Sequence, residues 1–451
     1  MVEDVSKRAV LAGASTGAGE TWVERFFHVR ERGSTVSREI LAGLTTFMTM
    51  AYILFVNPNI LSAAGAPAEG VAVATALAAA VATLAMGLYA NYPFALASGM
   101  GLNAALAFGL VMGEKVSWQV GMGVVAIEGA IVTLFVLTNV REAIMDAIPM
   151  NLKRAIGAGI GLFIAFIGLK SAGLVVASEA TLVSFGSVTS PGVIVAVIGL
   201  LLTAALMSHR VPGAILLGIV GTTIVGIPFG VTKLPTVWWH WPNSQSFSTL
   251  FQLDLAGALK LGLLGSIFGF LMTDFFDTMG TVVGVSEEGN LLKNGKLPGL
   301  KNVLLVDSLA AVIGGLFGAS SVTTYVESAA GVAQGGRTGL TSVVTGLLFL
   351  VAILFAPLFT LVPAEATAPA LVIVGFLMLS GLKEIDFNKF EDAFPAFITL
   401  LTIPLTYSIS RGIGYGFITY VVVKLLKGQA KEIHPLLWVV SVLFLLSFIF
   451  A

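Results

Sequence analysis

The chain contains no cysteine. That absence removes structural disulfides, thiolate nucleophiles and cysteine-ligated metal centres. Charge is also scarce. Of 451 residues, 11% are Asp, Glu, Lys or Arg, against roughly 25% in soluble globular proteins. The 24 basic and 25 acidic residues leave a formal net charge of −1, so no nucleic acid or other charged macromolecule is implied as a partner. The four histidines, His28, His209, His240 and His434, fall in tails or loops of the segment map below. No HExxH motif and no serine–histidine arrangement supports a membrane-embedded enzyme.

What remains is apolar. The composition is 57% hydrophobic with 51 glycines, and the mean hydropathy is +0.96. About 20 apolar residues cross a bilayer as a helix. Stretches of that kind recur at roughly 39–58, 71–90, 117–138, 153–174, 189–208, 211–228, 256–285, 300–318, 338–361, 366–382, 390–408 and 410–427. This signal is far stronger per segment than the alternation of a β-barrel. Two further stretches, roughly 93–112 and 319–334, are too polar and glycine-rich for plain spans; with them the chain has about fourteen membrane elements. The last apolar piece, 434–450, either spans or lies in the interface.

Basic residues orient the chain. Residues 1–38 hold Lys7, Arg8, Arg25, Arg30, Arg32 and Arg38, with no apolar core long enough for a signal peptide, and read as a cytoplasmic tail. With the N-terminus inside, nineteen Lys and Arg fall on the cytoplasmic side, Arg141, Lys153, Arg154 and Arg337 among them, and five on the outer side. The longest outer loop, about 229–254, carries Trp238, Trp239 and Trp241, which suit interfacial anchoring.

The chain also looks doubled. A shift of about 224 positions carries Asn103 of the first odd segment onto Glu327 of the second, and Thr49 close to Asp274. Seven elements per half is an odd number, so the halves must be inverted. Inverted repeats with interrupted helices place a transport site near the bilayer midplane.

Ionisable residues inside spans mark such sites. Asp274 and Asp277 lie three apart on one face of the eighth span. Glu327 follows Ser320, Ser321, Thr323 and Thr324, a run that suits an extended stretch leading into a half-helix. Such backbone is tolerated only under protein or beside a cavity, and the half-helix start is expected to offer free N–H groups to a ligand. Asn103 can both donate and accept, which suits the edge of a heterocycle. Thr49 and Tyr325 join this set, and Phe275, Phe276 and Tyr325 could flank a flat ring. No midplane Lys or Arg is present to hold an anion. The set therefore suits a neutral, N–H-rich base, and burial lets a carboxyl group carry a proton by disfavouring its charged form. Proton coupling through Asp277 and Glu327 follows as an expectation; sodium is the less favoured ion. Glu128 and Asp307, also inside spans, are read as bonding to facing helices. An anion carrier on the same fold, a channel and a membrane enzyme are the competing readings.

These motifs carry a family resemblance. The run Leu41-Ala42-Gly43-Leu44-Thr45-Thr46-Phe47-Met48-Thr49-Met50-Ala51-Tyr52-Ile53, Asn57-Pro58, Gly99-Met100-Gly101-Leu102-Asn103-Ala104, Thr273-Asp274-Phe275-Phe276-Asp277-Thr278 and Glu327-Ser328-Ala329 resemble the AzgA-type hypoxanthine/adenine/guanine permeases. These belong to the wider nucleobase–ascorbate transporter superfamily. The resemblance covers about residues 21–451.

It implies an all-α polytopic fold of two inverted seven-helix repeats, with short strands before half-helices in the third and tenth elements. It also implies a division into an N-terminal tail (1–38), a core domain (39–138 and 256–361), a gate domain (139–228 and 362–427), an outer loop (229–255) and a C-terminal apolar segment (428–451). By the same resemblance Asp274 and Glu327 match base-binding acids, Asn103 an asparagine tied to transport, and Asp277 a second acid linked to proton coupling. No cofactor or metal is implied. Ser328, where the uracil and xanthine branch often has asparagine, favours purines. Homodimers through the gate domain and placement in the cytoplasmic membrane are further expectations of the resemblance.

Overall fold

The computed structural model describes residues 21–138, 147–234, 237–260, 263–293 and 296–450, without the side chains of Phe276, Ser447 and Phe450. Residues 1–20 of the expected tail, Arg141 in the orientation count and the Phe276 ring as a candidate stacking partner lie outside this description.

The described chain is mostly helical. In order, the helices are α1 (Trp22–Phe27), α2 (Val36–Met50), α3 (Ile53–Ala63), α4 (Ala68–Ala85), α5 (Met100–Ala104), α6 (Trp118–Thr138), α7 (Met150–Ser171), α8 (Pro191–Ser208), α9 (Ala214–Gly226) and α10 (Leu255–Ala258). They continue with α11 (Leu264–Glu288), α12 (Leu300–Phe317), α13 (Ser328–Ala333), α14 (Gly339–Ala352), α15 (Ala356–Phe359), α16 (Ala364–Met378), α17 (Phe390–Leu405), α18 (Ile409–Leu426) and α19 (Pro435–Phe450). Among the described residues, nine helices are long and apolar enough to cross a membrane. The 25-residue α11 is not one of the nine. At 1.5 Å per residue it reaches about 37 Å, but Asp274, Asp277, Glu287 and Glu288 dilute its hydropathy.

The first odd segment forms strand β1 (Leu96–Ser98), then α5, which runs on through π-helical turns to Gly113. The second forms strand β4 (Val322–Thr324), then α13. The two strands pair antiparallel, with Leu96 opposite Thr324 and Ser98 opposite Val322. Gly99 N donates to Ser321 O and Tyr325 N to Ala95 O, each at 2.9 Å, which extends the ladder at both ends. Buried backbone must find partners, and each short strand supplies the other's. Gly318 turns the chain from α12 toward β4 at φ +83°, a conformation that favours glycine.

Between the fifth and sixth expected spans the structure adds a feature with no counterpart in the sequence reading. Strands β2 (Val175–Ser178) and β3 (Leu182–Phe185) form an exposed antiparallel hairpin. The described part of the expected tail is also ordered against the helices. Glu24 and Thr21 cap α1 reciprocally, and Arg32 donates from Nη1 to Asn91 O at 2.5 Å. The buried Glu39 carboxylate accepts from Arg337 N at 2.9 Å and Thr341 Oγ1 at 2.6 Å. The first long helix thereby starts at Val36, a few residues before the expected boundary.

Packing pairs α6 with α12, and α4 and α2 with α14; separately, α7 packs on α16 and α17, α8 on α9, and α17 on α18. Trp238, Trp239 and Trp241 of the long loop are exposed, as anchoring side chains require.

Candidate functional site

The helix that begins at Val36 is interrupted at Ala51 and Tyr52. There Leu54 N bonds Ala51 O and Phe55 N bonds Tyr52 O, a tighter turn than the α-helical one. Pro58 lies in the following helix and cannot donate to the carbonyl four residues back. The break turns the Tyr52 ring into the protein, where its hydroxyl donates to Glu327 Oε1 at 2.5 Å. Tyr325 lies beside it, with ring centroids 6.5 Å apart.

A cavity of about 90 Å³ opens at this point. Tyr52, Tyr325, Glu327, Asp277, Thr273, Thr281 and Thr324 supply its polar wall. Met100, Gly101 and Leu102 of α5 supply one apolar wall, and Ile160 of α7 with Val374 and Met378 of α16 another. No Lys, Arg or His is among the described residues lining it. The site is thus built where the paired strands and α11 face α7 and α16.

The candidate residues divide. Glu327, Asp277 and Tyr325 line the cavity. Asp274 is fully buried and does not. Residues three apart on a helix differ by about 60° in direction, enough for one to reach the cavity and the other to pack behind it. Thr49 Oγ1 donates to Thr46 O at 2.8 Å and reaches Glu327 O at 3.4 Å, so it touches the backbone of the site and not its opening. Asn103 is buried; its Oδ1 accepts from Ser98 Oγ at 2.7 Å and its Nδ2 donates to Ser98 O at 3.4 Å. Phe275 is buried in the core, away from the cavity. Ser328 turns its hydroxyl to Ala95 N, which donates to it at 3.0 Å. It therefore pins the start of α13 to the residue before β1.

The expectation of free N–H groups at the start of α13 is overturned. Ser328 N bonds Tyr325 O at 3.1 Å, Ala329 N bonds Val326 O at 2.9 Å and Ala330 N bonds Glu327 O at 3.0 Å. The tight turn after β4 satisfies these donors locally, while Glu327 lines the cavity.

Sequence reasoning missed Tyr52 as a site residue, although it stands in the quoted motif; its partner is 275 positions away. Asp307 bonds as expected, but to more than a facing helix. Its Oδ2 accepts from Thr278 Oγ1 at 2.7 Å, and its Oδ1 accepts from Thr324 N at 2.9 Å and Thr324 Oγ1 at 2.8 Å. One carboxylate thus fastens α11 to β4 directly behind the site. Tyr325 OH donates to Ser98 O at 2.5 Å, joining the two interrupted elements again.

Apolar spans around a small polar cavity fit a multi-pass membrane permease. The family model described as "Permease family", the xanthine/uracil permease model, matches residues 37–415, and the chain belongs to that nucleobase–ascorbate transporter family. Curated relatives include the guanine/hypoxanthine permease PbuO of Bacillus subtilis, 43% identical with 93% of this chain and 99% of that protein covered. The adenine permease AdeP of Escherichia coli is 43% identical, with 96% and 97% covered. Among solved structures, the fold is similar to the transmembrane domain of a cyanobacterium bicarbonate transporter, BicA, with a TM-score of 0.64 at 17% identity over 83% of this chain and 96% of that one. It is also similar to the murine SLC26A9 anion transporter, with a TM-score of 0.61 at 10% identity over 92% and 73%.

Proposed function

We propose that the chain imports purine nucleobases (hypoxanthine, adenine and guanine) across the cytoplasmic membrane, with a proton as the coupling ion. The observation that carries this reading is the cavity shared by Glu327 and Asp277, with Tyr52 and Tyr325 beside them and no Lys, Arg or His among its described lining residues. A neutral base offers ring N–H donors to a carboxylate and a flat face to an aromatic ring. The fold is similar to anion transporters, but two acids in the cavity oppose an anionic cargo. The relatives' names point to the same class of substrate.

Glu327 and Asp277 are the proton-carrying groups in this reading, Asp274 supports them from behind, and Asn103 and Thr49 hold the frame. A core domain formed by residues 39–138 and 256–361 slides against a gate domain formed by 139–228 and 362–427. Two features support this division: the helix pairs fall into two packing groups, and the cavity wall takes residues from both. The antiparallel pairing of the two short strands fits inverted repeats. The N-terminus is cytoplasmic, and a homodimer forms through the gate.

Purified protein in proteoliposomes should accumulate radiolabelled hypoxanthine when an inward proton gradient is imposed. Uptake no greater than in protein-free vesicles overturns the proposal, and uptake driven only by an inward sodium gradient overturns the choice of ion.

A further inference from the structure

A second cavity, far larger than the first, lies elsewhere in the helix bundle. It measures about 650 Å³ and is walled by α6, α11, α18 and α19. Its described lining is aliphatic and aromatic throughout, with one glycine; Phe135, Leu271, Phe417, Val440 and Phe444 mark its sides. Water needs polar partners to occupy a cavity, and an engineered apolar cavity of about 150 Å³ stays dry and takes up benzene. Several times that space, without a polar side chain, calls for a hydrocarbon occupant.

The surroundings say which hydrocarbon. Val439 and Leu443 line the cavity on α19 and are more than half exposed, while Val442 and Ile449 of the same helix are exposed and apolar. The cavity therefore continues onto an exposed apolar surface, which in a membrane protein meets hydrocarbon. We propose that it is a binding site for the acyl chain of a membrane phospholipid.

The placement gives the lipid a part to play. On α11, Leu264, Ile267, Phe268 and Leu271 face the lipid cavity, and Thr273, Asp277 and Thr281 face the polar one. The helix that carries Asp277 thus stands between the two. The opposite wall belongs to α18 and α19, joined to α11 where Phe268 meets Phe444 edge to face at 5.3 Å. A flexible chain fills the gap between surfaces that slide, so its presence sets the rate of transport. This second part rests on the core-against-gate reading; the binding site itself does not.

The test reconstitutes the full chain in phosphatidylethanolamine–phosphatidylglycerol vesicles that contain a phosphatidylethanolamine with a diazirine in its acyl chain. After illumination, adducts on 264–272 and 436–446 should exceed several-fold those on Pro191–Ser208, a plain lipid-facing helix with Leu201 exposed. Equal labelling of the three segments overturns the site. Val440→Trp, which fills the cavity, should lower the first two adducts several-fold and leave the third unchanged; unchanged labelling of all three also overturns it. The wild-type result needs no variant to fold. If labelling falls in the variant while the hypoxanthine uptake rate stays at the wild-type value, the rate-setting role is overturned. If the wild-type protein shows no uptake, the transport reading fails and the labelling still decides the site.

Discussion

The two interrupted elements, one around Ser98 and one around Thr324, share a plan and use it oppositely. Each is a three-residue strand leading into a helix, and the strands pair with each other. In the first, the polar residue near the end of the short helix turns back. Asn103 and Ser98 bond each other and close the turn on itself. In the second, Glu327 turns outward into the cavity and is steadied by the Tyr52 hydroxyl at the break between α2 and α3. Antiparallel pairing of two strands is symmetric, but the side chains it carries need not be. One arm of the pair is spent on structure and the other opens onto the cavity.

Substitutions can break or sharpen that contrast. The largest effect is expected from Glu327→Gln, which keeps the shape and removes the charge. A hydrogen bond to a charged group contributes about 1.5–3 kcal/mol, so hypoxanthine affinity should fall by about ten- to a hundredfold. Tracer binding to purified protein measures it, and unchanged affinity would remove Glu327 from the site. Tyr52→Phe takes away one steadying bond, worth about 1 kcal/mol, and affinity should drop by about fivefold with the melting temperature nearly unchanged.

Asn103→Ala should act the other way round. It removes the bond between Asn103 Oδ1 and the Ser98 hydroxyl, which keeps Ala319 O as an acceptor, at a cost of about 1 kcal/mol in stability, and changes affinity less than Tyr52→Phe. If its affinity loss instead matches that of Glu327→Gln, with the melting temperature intact, Asn103 contacts the base and the contrast between the arms disappears. The smallest effect belongs to Thr49→Ala. Its contact with the Glu327 carbonyl, at 3.4 Å, is at the limit of a hydrogen bond. The affinity change should stay near about twofold, at roughly 0.4 kcal/mol, and a larger loss would place Thr49 against the ligand.

Much of this arrangement is legible in the linear chain. Serines, threonines and glycines inside otherwise apolar stretches mark 93–112 and 319–334 as irregular, because lipid-exposed backbone has no water to bond with. Acids at 274, 277 and 327 stand out for the same reason. The hairpin Val175–Phe185 is less visible: it lies outside the spans, where hydropathy no longer discriminates and four-residue strands carry a weak pattern. The part played by Asp307 is equally hidden. A carboxylate in a span signals importance, but its bonds to Thr278 and Thr324 depend on how three elements pack.

The sequence by itself determined that the protein lives in a bilayer, that two of its elements are interrupted, and that a few acids must be sheltered from lipid. Those conclusions follow from the cost of putting charge and bare backbone in hydrocarbon, which each segment bears alone. Only the tertiary structure decided that Asp277 faces the cavity and Asp274 does not, that Tyr52 holds Glu327, and that Asp307 ties α11 to β4. Such choices depend on a few tens of degrees about a helix axis and on partners hundreds of positions apart, and distance along a chain does not encode them.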